Sequence, residues 1–288
     1  MHLALLQYGV EPLADIRAWE AKLDRLVAEA AGDGAEFLVM PEYAALEAAA
    51  AGATHPDLKA ELARACDLTP ELLHAMRNAA LRHRVWLVPG SLPVRLGGKV
   101  INRAPIIAPD GRIAFQDKRC MTRFEAEEWH VDAGNSSGVV ETDWGRIGVT
   151  ICYDVEFPTL VRAQVTAGAR LILVPSCTDT LAGFHRVTLS ARARALENQC
   201  YVAVAPTVGE APHCAALDVS RGRAMLFGPV DGLFPDDGII AGGRMDTPGW
   251  VHATLDFTLL HSVRERGAVR NHRDWPDAVP PAPLLMMQ

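Results

Sequence analysis

Short apolar runs alternate with amphipathic segments along most of the chain. The apolar runs are rich in Leu, Ile and Val and too short for buried helices, which is typical of strands in the core of a sheet. The predicted strands are residues 3–7, 37–40, 85–88, 101–107, 112–116, 147–151, 171–174, 201–205 and 251–255.

Helical periodicity distinguishes four longer segments. In the first of them Trp19, Leu23 and Val27 recur at the spacing of one helix face. In the second, Thr69 stands directly before Pro70 and is the expected N-cap. The predicted helices are residues 14–31, 69–83, 158–167 and 187–198.

Strands that alternate with helices predict an α/β domain in which helices cover a sheet. The short turn Pro109-Asp110-Gly111 joins two of the strands, so part of the sheet is antiparallel. The pattern leaves open whether the sheet is doubly wound or belongs to a sandwich. We expect one domain at residues 1–268, followed by an extended, proline-rich tail at 269–288 that could contact a partner subunit.

The composition excludes several classes of protein. Of the 288 residues 49% are apolar and 22% are charged, as in soluble globular proteins. The chain has 28 basic and 35 acidic residues and no basic stripe, which argues against nucleic-acid binding. No apolar run approaches the roughly 20 residues of a membrane span, and the first residues lack the character of a signal peptide. We therefore expect a cytoplasmic protein with no membrane and no nucleic-acid partner.

The six cysteines are widely spaced and include no C-x-x-C pair. Without an export signal, reduced thiols fit this spacing better than disulfides. Short-spaced pairs of Cys and His ligands are also lacking, so we expect no metal site.

The most specific local feature is the segment from Gly148 to Pro158, where a predicted strand ends at Cys152 and a helix then begins. Backbone N–H groups gather at such a turn, where they favour a thiolate and can bind an oxyanion. Cys152 is therefore a candidate nucleophile. The alternative is that it is a small buried hydrophobic residue, as most lone cysteines are.

A thiol nucleophile needs a group that accepts its proton. No histidine is placed to suggest that role, but Glu42 follows Met40-Pro41 at the end of a predicted strand. Lys118 stands at a third strand end, where a fixed cation could stabilise an oxyanion. Each residue alone could be a surface charge, but three strand ends that carry Glu, Lys and Cys together indicate an active site.

The order and setting of these three residues resemble those of the carbon–nitrogen hydrolase family, also called the nitrilase superfamily. The resemblance covers nearly the whole chain. It includes Pro41-Glu42, Asn102, Pro109-Asp110-Gly111, Ile151-Cys152-Tyr153-Asp154, Phe157-Pro158, Arg162, Gly168-Ala169, Pro175-Ser176 and the run from Arg192 to Gln199. The resemblance implies an α-β-β-α sandwich whose helical faces associate, and therefore a homodimer or a larger homo-oligomer.

The resemblance also implies roles for individual residues. Cys152 corresponds to the family's nucleophile, Glu42 to its general base and Lys118 to the residue that stabilises the tetrahedral intermediate. We expect the backbone N–H of Tyr153 to help bind the oxyanion. No cofactor is required.

Many members carry one more glutamate between the lysine and the cysteine, and Glu125, Glu127 and Glu128 are the candidates here. We favour Glu125, with Glu128 as the second choice. The segments around four residues are expected to line the substrate pocket: Tyr43, Trp129, Phe157 and Cys177.

The expected activity is hydrolysis of the C–N bond of a small linear amide through a cysteine thioester, with release of ammonia or an amine. A nitrilase, an N-carbamoyl amidohydrolase and a non-catalytic binding protein on the same fold are the alternatives. The segments 155–156, 176–185 and 227–232 depart from the pattern of well-known branches, so the sequence assigns no branch.

Overall fold

The computed structural model describes residues 1–275. Within that range the chain forms 14 strands, nine α-helices and a short 3-10 helix at Cys152–Glu156. The strands are β1 (His2–Gly9), β2 (Phe37–Val39), β3 (Trp86–Val88), β4 (Leu92–Leu96), β5 (Lys99–Ile107), β6 (Ile113–Asp117), β7 (Val139–Thr142), β8 (Gly145–Val149), β9 (Leu171–Ser176), β10 (Tyr201–Glu210), β11 (Val219–Ser220), β12 (Met225–Phe227), β13 (Ile239–Gly242) and β14 (Gly249–Thr254). The helices are α1 (Ile16–Gly32), α2 (Leu46–Ala50), α3 (Leu58–Asp67), α4 (Thr69–His83), α5 (Arg123–Glu127), α6 (Pro158–Thr166), α7 (Leu181–Asn198), α8 (Phe257–Arg266) and α9 (Asn271–Asp274).

The strands form two sheets of similar design, each with three parallel strands at its centre. In the first sheet β1, β2 and β3 are parallel, while β14 pairs antiparallel with β1 and β5 pairs antiparallel with β3, β4 and β6. In the second sheet β8, β9 and β10 are parallel, and β7 and β12 flank them in antiparallel pairs. The sheets join where Tyr8 and Gly9 of β1 pair with Thr207 and Val208 of β10.

Successive residues of β1 belong to different layers of the core. Leu3 and Leu5 pack in the core that the two sheets share, which also contains Val149 of the second sheet. Ala4 and Leu6 point the other way and pack with residues of α1 and α4. Since α6 and α7 contribute to the core around the second sheet, the layers follow the order helix, sheet, sheet, helix. The central strands are covered on both faces, which explains why they read as continuous apolar runs.

Every predicted strand and helix is present, and the predicted antiparallel pairing of residues 101–107 with 112–116 is confirmed in β5 and β6. One detail of α4 is wrong. Leu68 ends α3 and also caps α4, so Thr69 lies inside the helix and is not its N-cap. The Thr69 hydroxyl donates instead to the carbonyl oxygen of Cys66, 2.9 Å away.

Helix α7 begins at Leu181 rather than at residue 187. Thr180 caps it by accepting the backbone N–H of Gly183 at 3.1 Å. The pattern missed this first turn because Gly183 and the polar pair His185-Arg186 interrupt the apolar spacing. The other elements that were not predicted are short or carry mixed patterns: helices α2, α3, α5 and α8 and strands β4, β7, β11, β12 and β13.

Part of the predicted tail packs on the domain. Asn271–Asp274 is helical where an extended chain is predicted, and the side chain of Gln199 bonds to the backbone of Val269 (3.2 Å) and of His272 (3.1 Å). The rest of the predicted tail, residues 276–288, lies outside the described residues. None of the helices within residues 1–275 is long and apolar enough to cross a membrane.

Candidate active site

Three strand ends bring Glu42, Lys118 and Cys152 into one cluster. Glu42 follows β2, Lys118 is the first residue after β6, and Cys152 opens the 3-10 helix that follows β8. Their exposed fractions are 2%, 1% and 4%. Because bulk water is excluded from these side chains, charges and hydrogen bonds among them act strongly.

A close backbone contact fixes the segment that carries Glu42. Gly90 has a φ of +89°, and a Cβ at this position would lie 1.9 Å from the carbonyl oxygen of Pro41. Only glycine fits there, because it tolerates both the positive φ and the contact. On the other side, the hydroxyl of Thr207 in β10 donates to the carbonyl oxygen of Glu42 at 3.4 Å. Both sheets therefore hold this glutamate in place.

Lys118 lies between two carboxylates. Its Nζ is 2.7 Å from Oε1 of Glu42 and 2.7 and 2.6 Å from the two oxygens of Glu125. A buried ammonium group is stable only when it is paired and hydrogen-bonded, and these contacts satisfy its three donors. Lys118 is therefore a fixed positive charge held by two glutamates.

The structure distinguishes the three candidates for the additional glutamate. Glu125 is buried at Lys118, whereas Glu127 and Glu128 are exposed. A capping box at the start of α5 orients Glu125: its Oε2 accepts the N–H of Thr122 at 3.0 Å, and its own N–H donates to the Thr122 hydroxyl at 3.3 Å. One turn of helix thus aims this carboxylate at the lysine.

Two further side chains hold the carboxylates, and the sequence predicted this role for neither of them. The hydroxyl of Tyr43 donates to Glu125 Oε1 at 2.8 Å, and Asn102 Nδ2 donates to Glu42 Oε1 at 2.9 Å. Tyr43 has a φ of +61°, a conformation that non-glycine residues adopt rarely and that recurs at functional sites. Asn102 belongs to the family resemblance, which was the only signal for it in the sequence.

Cys152 also has a positive φ, +45°. Its thiol donates to the carbonyl oxygen of Cys177 at 3.5 Å and accepts the hydroxyl of Ser176 at 3.3 Å. Burial raises the pKa of this thiol well above its usual value and Glu42 raises it further, whereas Lys118 lowers it. The resting sulfur is therefore a protonated thiol that needs a base.

The carboxylates of the cluster have different pKa values. Burial raises the pKa of Glu42 to about 7, although Lys118 opposes the shift. Burial acts in the same direction on Glu125, but the charge of Lys118 and the bonds from Lys118 and Thr122 bring its pKa below the usual value. The two glutamates outweigh the effect of burial on Lys118 and hold its pKa above the ordinary range. Glu42 can therefore accept or release a proton near neutral pH, while Glu125 remains ionised.

The predicted pocket residues lie around this cluster. The rings of Tyr43 and Trp129 are 5.0 Å apart and belong to an apolar cluster that also contains residues of the loop 211–217. The half-buried Cys177 packs against that cluster. Phe157 is half-buried and meets the ring of Tyr153 edge-on at 5.0 Å, on the side of the 3-10 helix.

A residue that the sequence did not indicate ties down the loop 211–217. Glu61 of α3 is buried, and its carboxylate accepts the backbone N–H groups of Ala215 and Ala216, both at 2.9 Å. The loop is thereby held in the apolar cluster beside Tyr43. Among residues 1–275 no group of three or more His, Cys, Asp or Glu side chains could hold a metal ion.

Comparison with known sequences places this geometry in context. The family model described as Carbon-nitrogen hydrolase matches residues 2–262. Probable hydrolase YhcX of Bacillus subtilis is 30% identical over 95% of this chain, which spans about half (53%) of that longer relative. Omega-amidase NIT2 of Xenopus tropicalis is 26% identical, with 94% of both chains covered. The 2-oxoglutaramate amidase of B. subtilis is 28% identical over 66% of this chain and 69% of its own.

Solved structures agree with the observed layers. XC1258 of Xanthomonas campestris matches with a TM-score of 0.77 at 22% identity over 98% of each chain. A mutant of the amidase of Nesterenkonia sp. AN1, in which acrylamide has added to the active-site cysteine, matches with a TM-score of 0.70 at 24% identity over 96% and 99%. At these identities the likeness concerns the fold, and it confirms the predicted α-β-β-α sandwich.

We expect Glu42→Gln to flatten the pH dependence of stability between pH 4.5 and 7. The pKa of Glu42 is about 7 in the fold and 4.5 as its ordinary value, so the folded protein binds more protons in this window. Its stability therefore falls as the pH rises, by up to about 3 kcal/mol from this group. The variant removes that loss. Denaturant unfolding at several pH values measures the free energy of unfolding of both proteins.

The exposed Glu127 provides a control. Glu127→Gln removes a carboxylate whose only ion pair among the described residues is with Arg123 on the surface. Its stability should follow the wild-type slope, because the substitution leaves the buried cluster around Glu42 intact. A wild-type slope in Glu42→Gln as well would contradict the raised pKa.

Proposed function

The chain belongs to the carbon–nitrogen hydrolase family, as its sequence predicts, and from that premise we propose that it hydrolyses the C–N bond of a small linear amide. The observation that carries the proposal is the buried contact of Glu42 and Glu125 with one lysine beside a thiol. In this arrangement Cys152 is the nucleophile, Glu42 the general base and Lys118 the cation that stabilises negative charge. The reaction consumes one water and yields a carboxylic acid and ammonia or an amine.

In the first half-reaction the proton of Cys152 passes to Glu42 while sulfur attacks the amide carbon. An S–C bond forms, and the carbonyl π electrons move to oxygen. Lys118 and the backbone N–H of Tyr153 stabilise this oxyanion. Tyr153 is the second residue of the 3-10 helix, where the helical pattern leaves N–H groups without an internal partner.

Collapse of the tetrahedral intermediate breaks the C–N bond, and the leaving nitrogen takes the proton from Glu42. The product that remains is a thioester on Cys152. Glu42, again ionised, then takes a proton from water, and the water oxygen attacks the thioester carbon. When the C–S bond breaks, sulfur recovers the proton from Glu42 and the acid leaves.

Glu125 keeps the lysine charged and in place during both half-reactions. Its carboxylate bonds to Lys118 through both oxygens and is itself held by Tyr43 and Thr122. The charge of Lys118 then remains available when the oxyanion forms. We assign the auxiliary role to Glu125 and not to Glu128.

An amide substrate is supported by what the relatives are named for: an omega-amidase, a 2-oxoglutaramate amidase and, from Yersinia enterocolitica, a deaminated glutathione amidase. A small substrate fits a thiol that is almost fully enclosed. Tyr43, Trp129, Phe157 and Cys177 are the residues that we assign to the substrate pocket.

We also propose that the protein is a homo-oligomer, at least a dimer, in the cytoplasm. The face of α7 supports the first part, since Leu181, Leu189 and Leu196 are exposed and lie on one side of the helix. All six cysteines, which lie within the described residues, are free, as in reducing compartments.

Cys152→Ala should abolish ammonia release, because no thioester can form without the sulfur. The measurement uses a panel of small amides, ω-amides of dicarboxylic acids, ureido acids and nitriles. Cys66→Ala, which removes a thiol on α3, is the matched control and should retain activity. Release that persists in Cys152→Ala would refute the proposed nucleophile, and the preferred substrate of the wild type would identify the branch.

Glu125→Gln should lower kcat by about a hundredfold, because it removes one negative charge beside Lys118 and loosens its orientation. Glu128→Gln changes an exposed carboxylate three residues away, at the C-cap of the same short helix, and should match the wild type. Steady-state kinetics on the best substrate of the panel measures both. Equal kinetics for the two variants would remove Glu125 from the mechanism.

Leu189→Arg should convert the oligomer into monomers, because a charge replaces an apolar side chain that is 64% exposed on α7. Leu96 is 50% exposed on β4 of the first sheet, so Leu96→Arg is the control. Light scattering after size-exclusion chromatography gives the mass of each. A wild-type protein that is already monomeric would refute the proposed assembly.

A further inference from the structure

A buried carboxylate joins the segment that carries Lys118 to the turn that carries Cys152. Asp154 lies two residues after the cysteine and is 1% exposed. Its Oδ2 accepts the backbone N–H of Arg119 at 2.9 Å, and its Oδ1 accepts that of Cys120 at 2.7 Å. One side chain therefore binds the two residues that directly follow the lysine.

This contact connects elements of different sheets. Lys118 follows β6 in the first sheet, and Cys152 follows β8 in the second. The distance between them would otherwise depend on how the two sheets pack. The two hydrogen bonds of the Asp154 carboxylate link the two segments directly and so fix the lysine relative to the thiol.

We infer that Asp154 is a positioning residue that sets the separation of the Lys118 ammonium and the Cys152 sulfur. The inference rests on the proposed function, because the separation matters only if Lys118 and Cys152 act together in acyl transfer. Asp154 touches neither the substrate nor the reacting atoms in this scheme. It acts through the backbone of Arg119 and Cys120.

The chemistry of the contact explains why the residue is an aspartate. Two successive N–H groups require two acceptor oxygens, and a carboxylate offers one to each. An amide of the same size has a single oxygen, so one buried N–H would face an NH₂ group and lose its partner. Burial raises the pKa of Asp154 to about 6 and the two N–H bonds oppose the shift, so the group is mostly ionised at neutral pH.

The test compares Asp154→Asn with Asp231→Asn. Asp231 makes the same kind of contact elsewhere, since its carboxylate accepts the N–H groups of Ala268 (3.1 Å) and Val269 (3.2 Å). If the loss of such a contact acts only by destabilising the fold, both variants should be impaired alike. A role in positioning should affect Asp154→Asn alone.

The first readout is the pH dependence of Cys152 alkylation by iodoacetamide, itself a small primary amide. Lys118 favours the thiolate, so its displacement should move the midpoint of alkylation upward by about one pH unit in Asp154→Asn. The second readout is the kinetics of amide hydrolysis. We expect kcat to fall by about tenfold to a hundredfold with KM within about twofold, because the reacting groups are misplaced while the pocket is intact.

An unchanged alkylation midpoint and an unchanged kcat in Asp154→Asn would overturn the inference. Failure of the wild type to release ammonia from any substrate would count against the proposed function instead, and the alkylation profile would still test Asp154. If Asp154→Asn does not fold, amide hydrogen exchange of the wild-type protein tests the contact instead. The amides of Arg119 and Cys120 should be strongly protected, and rapid exchange of both would contradict the contact.

Discussion

The buried ammonium group of Lys118 is the interaction on which the rest of this site depends. A lysine that is 1% exposed costs several kcal/mol unless anions and acceptors surround it. Glu42 and Glu125 supply the negative charges and the acceptors. Asn102 holds Glu42, and Tyr43 holds Glu125. The loss of either carboxylate would leave the buried ammonium group without a full set of acceptors, because each glutamate accepts from donor positions that the other does not fill.

The fold delivers these groups by ending strands of both sheets at one place. The pairing of β1 with β10 connects the sheets, and Thr207, which belongs to that pairing, also binds the backbone of Glu42. Rigid strands fix the position of each side chain more precisely than a long loop would. The loop 211–217 is held in a similar way, but by the Glu61 carboxylate of helix α3 and not by a strand.

The sequence predicted nine of the 14 strands, the four main helices and the three strand ends, because apolar runs that are buried on both faces leave a strong signal. It favoured Glu125 over Glu127 and Glu128 but could not settle the choice, since the choice depends on the capping box that sets the phase of one helical turn. The contacts of Asp154 and Glu61 are with backbone N–H groups far away in the chain, and such contacts leave no local pattern. The family resemblance supplied the sandwich, which periodicity alone left open.

The charges of the cluster suggest how one base can serve two opposite steps. Lys118 and Glu125 form a neutral pair that does not change, because their pKa values are shifted apart. In the proposed mechanism one proton passes between Cys152 and Glu42, and burial raises the pKa values of both groups. Moving that proton from sulfur to Glu42 leaves the net charge of the site unchanged, so the buried environment opposes the transfer less than it would oppose creating a lone thiolate. In the proposed mechanism, the arrangement of two carboxylates around one lysine thus lets a buried thiol act as a nucleophile near neutral pH.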